Sequence, residues 1–352
     1  MKSGSYLALL GVLGTMVACG NDVRHLDDEG GEAGYQESLR TTRTIHPILA
    51  EPIVVAGPEH QLDQPAALAV TSTSVFWTES TRVRSCPLPT GCAGEPALLL
   101  EKHERLHHIA ATEDSIYFTG CHSFVCDDRH HVLRCPVSGC SLGPIRMDST
   151  SDAFDHFILG KTHAYWIYGD RLVGCAFPEC GRRREQWPSR VFGGEPQAVT
   201  TDGDTVYVQL FRNDLRTCVE ADGCSEPNIL PNTSSVRWPF RVHAGVAYWL
   251  DAGPHGPGSR PELRKCGLED CGAGATVAFD DGSSEVEVDP TGVYWLNSND
   301  GTVRHCPLGG CPQSGPVVLA SRRVRARALT LGNGFVYWIE GNTIVKLAKP
   351  SD

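Results

Sequence analysis

The chain alternates apolar and polar residues in short segments separated by Gly, Pro, Asn and Asp, a pattern typical of half-buried β-strands joined by tight turns. An aliphatic residue followed by an aromatic residue and, in most copies, by Trp or Phe recurs in seven of these segments. Successive copies lie between 41 residues (Val75 to Ile116) and 48 residues (Ile116 to Ala164) apart. This period predicts a β-propeller with one copy per blade. The copies are Val75–Trp77, Ile116–Phe118, Ala164–Trp166, Val206–Val208, Ala247–Trp249, Val293–Trp295 and Val336–Trp338.

The sixth copy shows the complete repeat unit most plainly. A tight hairpin turn is predicted at residues 298–301, because Ser, Asn, Asp and Gly favour such turns. Each blade is therefore predicted to be a four-stranded antiparallel meander. The strands A to D of this blade are predicted at residues 285–289, 293–297, 302–308 and 315–320.

The two ends of the chain predict how the ring closes. The seventh copy supplies strands A to C at residues 326–331, 335–340 and 343–348 but no strand D. Residues 52–56 match the strand D pattern of residues 95–100. We therefore predict an all-β, seven-bladed β-propeller in which residues 52–56 complete the last blade and leave no ring edge open. A six-bladed ring with one deviant copy is the alternative.

The segment Val293–Asn297 followed by Gly301–Arg304 resembles the YWTD-type propeller repeat. It is also similar to the cysteine-bearing propeller repeats of exported bacterial lipoproteins. The resemblance covers residues 50–348 and implies a propeller fold. Fold alone does not set function, so the function has to be inferred from other residues.

The aromatic residues of the signature have two interpretations. They could form a platform on which sugars stack. Each occupies the same position in strand B, however, where alternating side chains pack between neighbouring blades. Repetition in every blade favours packing over ligand binding.

The N-terminus carries the features of a processing signal. Residues 1–18 are predicted to be a signal peptide, because Lys2 precedes an apolar stretch that is too short to span a bilayer. The segment Met16–Cys19 resembles the lipobox of bacterial lipoproteins. This resemblance implies cleavage before Cys19 and acyl chains, including palmitate, on that residue. An ordinary secretory signal is the alternative.

These features predict the domain organisation and the location. Residues 19–43 are predicted to be the lipidated cysteine and a disordered tether, because they are rich in Gly, Asp, Glu and Thr and poor in apolar residues. Residues 44–352 are predicted to form a single propeller domain. We expect the protein in the cell envelope, held by its lipid anchor on a bacterial membrane.

Cysteine usage agrees with export. Fourteen cysteines remain besides Cys19, and they fall into seven close pairs. Such regular pairing in an exported chain predicts disulfides and an oxidising compartment, whereas zinc sites favour two-residue spacings. One pair is predicted to clamp the C–D hairpin in each of blades 1 to 6. The pairs are Cys86/Cys92, Cys121/Cys126, Cys135/Cys140, Cys175/Cys180, Cys218/Cys224, Cys266/Cys271 and Cys306/Cys311.

The net charge of −11 argues against a nucleic-acid partner, which would require a basic face. Two basic clusters, residues 182–184 and 322–325, could meet anionic headgroups or glycans. We interpret them as solvated loop charges. We expect a monomer.

Aligning the blades on the signature locates a candidate ligand-binding face over the central channel. Residues at the start of strand A vary among His, Asp, Gln, Trp, Glu and Arg, whereas the next aligned position is apolar in every blade. A position that varies is available for function, and a uniformly apolar one is core. The candidate ligand-binding residues are His107, His108, Asp155, His156, Gln197, Trp238, Glu285 and Arg327.

Two long B–C connections, residues 119–131 and 251–261, are predicted to lie on the same face, where functional loops are commonly placed. The first belongs to blade 2, which concentrates histidines. A transition-metal site there is a hypothesis, because imidazole suits zinc, copper and nickel. The alternative is a His-rich surface loop held by its disulfide. The candidate metal ligands are His103, His107, His122, His130 and His131.

We therefore predict a membrane-anchored binding propeller whose ligand is a protein, a peptide or a glycan. No P-loop is present in the sequence. A propeller enzyme is the second hypothesis, with acid or base candidates among the residues at the channel mouth. A purely structural envelope protein is the third. No cofactor other than the hypothetical metal is predicted.

Overall fold

The computed structural model describes residues 51–102, 105–121, 129–151, 154–177, 184–212, 214–237, 239–251, 262–272, 274–279 and 282–350. These residues form seven four-stranded antiparallel sheets, each a consecutive A–B–C–D meander except the last. Each sheet packs between two others, so strand B is buried on both faces: all seven residues of β7 and all six of β23 are buried. The predicted all-β, seven-bladed β-propeller is confirmed, and the six-bladed alternative is wrong.

The strands of the first four blades follow the chain. Blade 1 consists of β2 (Ala67–Val70), β3 (Ser74–Thr78), β4 (Arg82–Pro87) and β5 (Ala97–Glu101). Blade 2 consists of β6 (Arg105–Ala111), β7 (Ser115–Cys121), β8 (His130–Pro136) and β9 (Ile145–Thr150). Blade 3 consists of β10 (Phe154–Leu159), β11 (His163–Tyr168), β12 (Arg171–Ala176) and β13 (Glu185–Pro188). Blade 4 consists of β14 (Pro196–Asp202), β15 (Thr205–Leu210), β16 (Leu215–Val219) and β17 (Asn228–Ile229).

The remaining three blades complete the ring. Blade 5 consists of β18 (Phe240–His243), β19 (Val246–Asp251), β20 (Glu262–Gly267) and β21 (Ala275–Phe279). Blade 6 consists of β22 (Ser283–Asp289), β23 (Gly292–Asn297), β24 (Thr302–Cys306) and β25 (Val317–Ala320). Blade 7 consists of β26 (Ala326–Gly332), β27 (Phe335–Glu340), β28 (Thr343–Ala348) and, as its outer strand, β1 (Ile53–Ala56).

Ring closure follows the prediction. β1 pairs antiparallel with β28, with Ile53 opposite Lys346 and Val54 opposite Val345. The strand is held by burial as well, because Val55 and Ala56 are almost completely buried. The outer strand of blade 7 therefore comes from the start of the propeller, and both ends of the ring are locked in one sheet.

The strands run alternately between two faces of the propeller. The B–C connections and the D–A connections between blades, such as residues 298–301 and 321–325, lie on one face, which we call the mouth face. The A–B and C–D connections, such as residues 203–204 and 307–316, lie on the opposite face.

The signature residues form the core, as the packing interpretation predicts. Trp77, Trp166, Trp249, Trp295 and Trp338 are completely buried between blades. The uniformly apolar position of strand A is buried in six blades and partly buried at Phe157 in blade 3. These side chains are structural, and they leave no sugar-stacking surface.

Five disulfides of the predicted framework are present among the described residues: Cys86–Cys92, Cys135–Cys140, Cys218–Cys224, Cys266–Cys271 and Cys306–Cys311. Cys121 and Cys175 are also disulfide-bonded, and their predicted partners Cys126 and Cys180 lie outside the described residues. Each of the five closes the turn between strands C and D. A disulfide-rich propeller fits an oxidising, extracytoplasmic compartment.

Helical structure is limited to the short α1 (Ser189–Phe192) and two 3₁₀ turns, Pro58–His60 and Glu220–Asp222, in the described part of the chain. No helix among these residues is long and apolar enough to cross a membrane. The predicted signal peptide, Cys19 and the tether lie outside the described residues.

Candidate functional site

Strand A begins with an irregularity in five blades. The pairing with strand B shifts register at this point in β6, β10, β14, β22 and β26. A β-bulge turns a side chain away from the regular alternation and is common beside functional sites. The residues inside the shifts are His107 and His108, Asp155, Gln197, Ser284, and Ala328 with Leu329. In these five blades the variable positions of the sequence therefore lie in or beside a bulge at the channel mouth.

His107 and His108 occupy the bulge of β6 and are both half-buried. His108 Nδ1 lies 3.0 Å from Thr119 Oγ1, and His107 Nε2 lies 3.4 Å from Cys121 Sγ. Burial, together with the charges of His108, Arg105 and His130, lowers the pKa of His107 to about 4. Burial also lowers the pKa of His108. Both imidazoles are therefore neutral at pH 7.

His156 lies at the same level on β10 and is half-buried. Burial lowers the pKa of His156 to about 4, with additional contributions from His108 and from Arg241. Gln197 on β14 is exposed, and a backbone hydrogen bond links it to His156. Asp155 lies on the bulge of β10, but its side chain, like the whole of Trp238, falls outside the described residues.

Glu285 on β22 connects blade 6 to blade 7. Its carboxylate accepts hydrogen bonds from the backbone N–H groups of Ala328, at 2.9 Å, and Leu329, at 2.6 Å. Ala328 has a positive φ of 57°, so this carboxylate satisfies the donors of a left-handed bulge. Burial raises the pKa of Glu285, although these two N–H groups oppose the shift.

Arg327 on β26 reaches across the mouth to two other connections. Its Nη2 donates to the carbonyl of Pro65 at 2.6 Å and to that of Gly341 at 3.0 Å. Burial lowers the pKa of Arg327, and the charge of Glu285 opposes that shift. The guanidinium therefore links blades 1 and 7 and stays within electrostatic reach of Glu285.

The structure adds an ion pair that the sequence analysis missed. Arg241 on β18 binds Glu287 on β22 with Nη2–Oε1 at 2.6 Å and Nε at 3.1 Å from both carboxylate oxygens. Both side chains are about three-quarters buried. Burial lowers the pKa of Arg241, but Glu287 outweighs burial and raises it. The sequence does contain a signal for this pair. Arg241 and Glu287 both stand directly after the uniformly apolar position of strand A, and the other blades carry Ala, Ile or Thr at that next position.

A cavity of about 590 Å³ runs along the central channel and has the Arg241–Glu287 pair in its wall. The second halves of the innermost strands line it, with apolar contributions such as Leu68, Ile109 and Phe157. Lys349 and Asn333 place it toward the opposite face. None of the predicted mouth residues whose side chains the structure describes lines this cavity. The volume is that of a typical small-ligand pocket.

The proposed histidine ligands separate in the structure. His130 and His131 are adjacent on β8 and buried, so they point to opposite sides of the sheet. His130 is the one that faces His107, whose pKa it affects. No group of three His, Cys, Asp or Glu side chains in the described part of the chain is arranged to hold a metal ion. His103 and His122 lie outside the described residues, so the transition-metal site stays a prediction.

Together these groups form a charged ring around the channel that spans blades 2, 3, 5, 6 and 7. His156 is within electrostatic reach of Arg241, and Arg241 of Glu285, which in turn affects Arg327. At pH 7 the ring offers neutral imidazoles, two guanidiniums and two carboxyl groups. This arrangement suits polar recognition of a ligand at the mouth. It suits proton transfer less well, because imidazoles with a pKa of about 4 are weak bases and Glu285 is engaged by two N–H donors.

No protein-family model matches the sequence, and no curated protein matches it. Solved structures match by shape. A streptogramin B lyase has a TM-score of 0.60 at 10% identity, over 84% of this chain and 96% of that one. A catalytically inactive virginiamycin B lyase from Staphylococcus aureus with quinupristin has 0.59 at 9%, over 85% and 99%. The WD40 β-propeller domain of Doa1 has 0.58 at 9%, over 84% and 96%. Identities this low show the propeller fold alone, and the similarity to YWTD-type repeats stays a prediction.

Proposed function

We propose that this protein is an exported, lipid-anchored β-propeller that binds a protein, peptide or glycan ligand at the mouth of its central channel. The observation that carries the proposal is the coincidence of sequence variation with β-bulges. Residues at the start of strand A differ between blades and, in five of the seven, lie in or beside a β-bulge, whereas the uniformly apolar position is buried in six blades. A scaffold without a ligand needs no such specialisation at one level of one strand.

Exposure at the mouth supports a ligand that approaches from outside. Gln197 is exposed beside the half-buried His156, and the Arg241–Glu287 pair continues the polar surface into the channel. Binding is favoured over catalysis because the carboxyl group of Glu285, whose pKa burial raises, already accepts hydrogen bonds from the backbone of β26.

A photo-crosslinking amino acid at Gln197 tests the binding function in the cells that make the protein. We expect an adduct with a specific partner or glycan. The same group at Leu98, an exposed residue on the outer strand β5, is the control and should give no such adduct. Identical adducts at both positions, or none at Gln197, would contradict a ligand at the mouth.

The lipid anchor is part of the same proposal and has its own test. The apolar N-terminal stretch and the lipobox-like segment before Cys19 support it, together with the disulfides. Wild-type protein should incorporate labelled palmitate and sediment with membranes. Cys19→Ala should lose the label and appear in the soluble fraction. Retention of the label in this variant would refute lipidation at Cys19.

A further inference from the structure

The D–A connection between β25 and β26, residues 321–325, presents three exposed side chains, those of Arg322, Val324 and Arg325. Arg322 and Arg325 have left-handed backbones, with φ of 59° and 55°, which residues other than Gly, Asn and Asp rarely adopt. Both are exposed, and so is Val324, at 68% of its surface. A loop free to relax would avoid these conformations, so the surrounding structure must impose them.

Arg323 is the residue that fixes this loop. Its backbone N–H donates to the carbonyl of Gly301 at 2.8 Å, and its Nε donates to the carbonyl of Ser321 at 2.6 Å. Its Nη1 also lies 3.6 Å from Glu340 Oε2. On the far side, Arg327 Nη1 donates to the carbonyl of Arg325 at 3.3 Å. Arg322, Val324 and Arg325 are therefore held outward by contacts that leave their side chains exposed.

Gly301 permits this close packing. A Cβ at this position would stand 2.5 Å from the carbonyl oxygen of Arg323 and 3.0 Å from its backbone nitrogen. Both atoms belong to the backbone, so a larger residue would have to move the loop. The backbone of residues 321–325 therefore packs directly on the hairpin turn of blade 6.

Arg322 and Arg325 have no ion-pair partner in the described part of the chain. The nearby carboxylates are engaged elsewhere: Glu340 with Arg323, and Asp300 with Arg304. Two outward guanidiniums on a rigid loop can each bind a carboxylate in bidentate geometry.

The described residues of the opposite face are mostly acidic where they are exposed and charged. The described bases in the A–B and C–D connections, Lys161, Arg184 and Lys349, each pair with a carboxylate. The exposed acids described on this face outnumber its described bases, so that part of the face disfavours an anionic partner. The exposed acids of the opposite face are Glu95, Glu113, Asp114, Asp204, Asp222, Glu226, Glu269 and Asp270.

We propose that residues 321–325 form a docking surface for an acidic peptide segment of a partner protein, with Arg322 and Arg325 binding its carboxylates and Val324 contacting an apolar residue between them. A single exposed Val between two Arg is too small an apolar surface to hold a membrane interface. The order Arg322, Val324, Arg325 is complementary to a peptide in which acidic and apolar residues alternate. The inference uses the mouth face of the proposed function and names the class of ligand that this face takes.

The test is the affinity of the purified, host-processed protein in neutral detergent for a short labelled peptide in which Glu alternates with Leu, measured by fluorescence anisotropy. We expect saturable binding that weakens as salt is raised. The double variant Arg322→Glu/Arg325→Glu should lose about tenfold or more in affinity. Arg146→Glu, the same change at an exposed residue of β9, should leave the affinity within about twofold.

A second pair of variants separates a shaped site from unspecific charge attraction. Gly301→Ala keeps every charge but displaces Arg323, so it should weaken binding. Gly203→Ala has the same left-handed backbone, with φ of 59° against 65°, but no atom within 4 Å of the new Cβ, and should bind as wild type. Equal affinities for the two variants would overturn the docking surface.

Three further outcomes would also overturn it: no binding of the peptide, tighter binding to polyuronate, or tighter binding to phosphatidylglycerol vesicles. The crosslink at Gln197 reports the channel mouth independently. A crosslink at Gln197 without peptide binding would refute the acidic-peptide inference and retain the proposed function. Peptide binding without the crosslink would refute a ligand at the channel mouth and retain the docking surface at residues 321–325.

Discussion

At the residue scale, three of the buried tryptophans, Trp77, Trp166 and Trp338, donate their indole N–H to a carboxylate. Trp77 Nε1 donates to Glu79 Oε1 at 3.0 Å, and Glu79 is completely buried. Glu79 Oε2 lies 3.7 Å from Arg84 Nε. Blade 7 repeats the arrangement with Trp338 donating to Glu340, which is 25% exposed. A buried carboxylate is tolerable only with such partners, and the two sites differ chiefly in their access to water.

We predict that Glu79→Gln lowers the free energy of unfolding by about 3 kcal/mol, because it leaves the charge of Arg84 buried without its partner. Glu340→Gln should cost less than about 1 kcal/mol, since water reaches that site. Chemical denaturation of the two variants measures both values. Equal costs would argue against burial as the cause.

Neutral histidines at the mouth make stability depend on pH. The pKa of His156 is about 4 in the folded protein against an ordinary 6.5, chiefly because of burial. The folded state therefore binds fewer protons than the unfolded state between these values. The contribution of His156 to stability is present above pH 6.5 and is lost as the pH falls toward 4.

We predict that wild type loses stability from pH 6.5 to pH 4 more steeply than His156→Asn does. Denaturation midpoints measured across this range give the difference between the two proteins. Glu285 does not confuse the comparison, because both proteins carry it. Parallel curves would mean that His156 titrates in the fold as it does in the unfolded chain.

At the scale of elements, the disulfide turns join neighbouring blades as well as closing their own hairpins. Cys92 N–H donates to the carbonyl of Val55, and Cys140 N–H to that of Leu99, each at 3.0 Å. Both acceptors belong to the outer strand of the preceding blade. The cysteine spacing therefore fixes a turn whose backbone reaches across an inter-blade seam.

We predict that Cys306→Ser/Cys311→Ser lowers the free energy of unfolding by about 2 kcal/mol, the entropy of closing a short loop, without changing the fold. Urea denaturation and circular dichroism measure the two effects. Reduction of the wild type with dithiothreitol should lower the melting temperature further, because several blades lose their bridges together. A melting temperature insensitive to reduction would contradict this role.

At the scale of the whole molecule, closure makes the ring one cooperative unit. Each blade contacts its two neighbours, and blade 7 gains its outer strand only because β1 pairs with β28. Without β1, the edge of β28 would be open and the contacts of Val55 and Ala56 would be lost.

A chain starting at residue 58 should therefore be less stable by roughly 3–5 kcal/mol, from lost burial and lost hydrogen bonds. It should also self-associate through its open edge. A chain starting at residue 44 keeps β1 and is the control. Calorimetry and size-exclusion chromatography measure both effects, and a stable monomer from residue 58 would refute the closure argument.

The sequence by itself determined the parts of this protein that depend on local alternation. The seven signatures, the turn at residues 298–301 and the missing strand D were enough to predict the blades, their core and the closing strand at residues 52–56. The strands of blade 7 were predicted within one residue of their observed bounds, whereas strand C of blade 6 ends at Cys306 rather than at residue 308. Period-2 burial and tight-turn chemistry are properties of neighbouring residues, so a single chain reveals them.

Only the tertiary structure decided how the inner strands meet. The Arg241–Glu287 pair joins blades 5 and 6, and Arg327 donates to the carbonyl of Pro65. The backbone N–H of Arg323 donates to the carbonyl of Gly301. Residues 322–325 are interpreted from sequence as solvated loop charges, and contacts with a turn about twenty residues earlier in the chain hold this loop in place. These contacts depend on the register between separate blades and on bulges at the start of strand A. That register is set by the packing of the closed ring, which no local pattern of residues specifies.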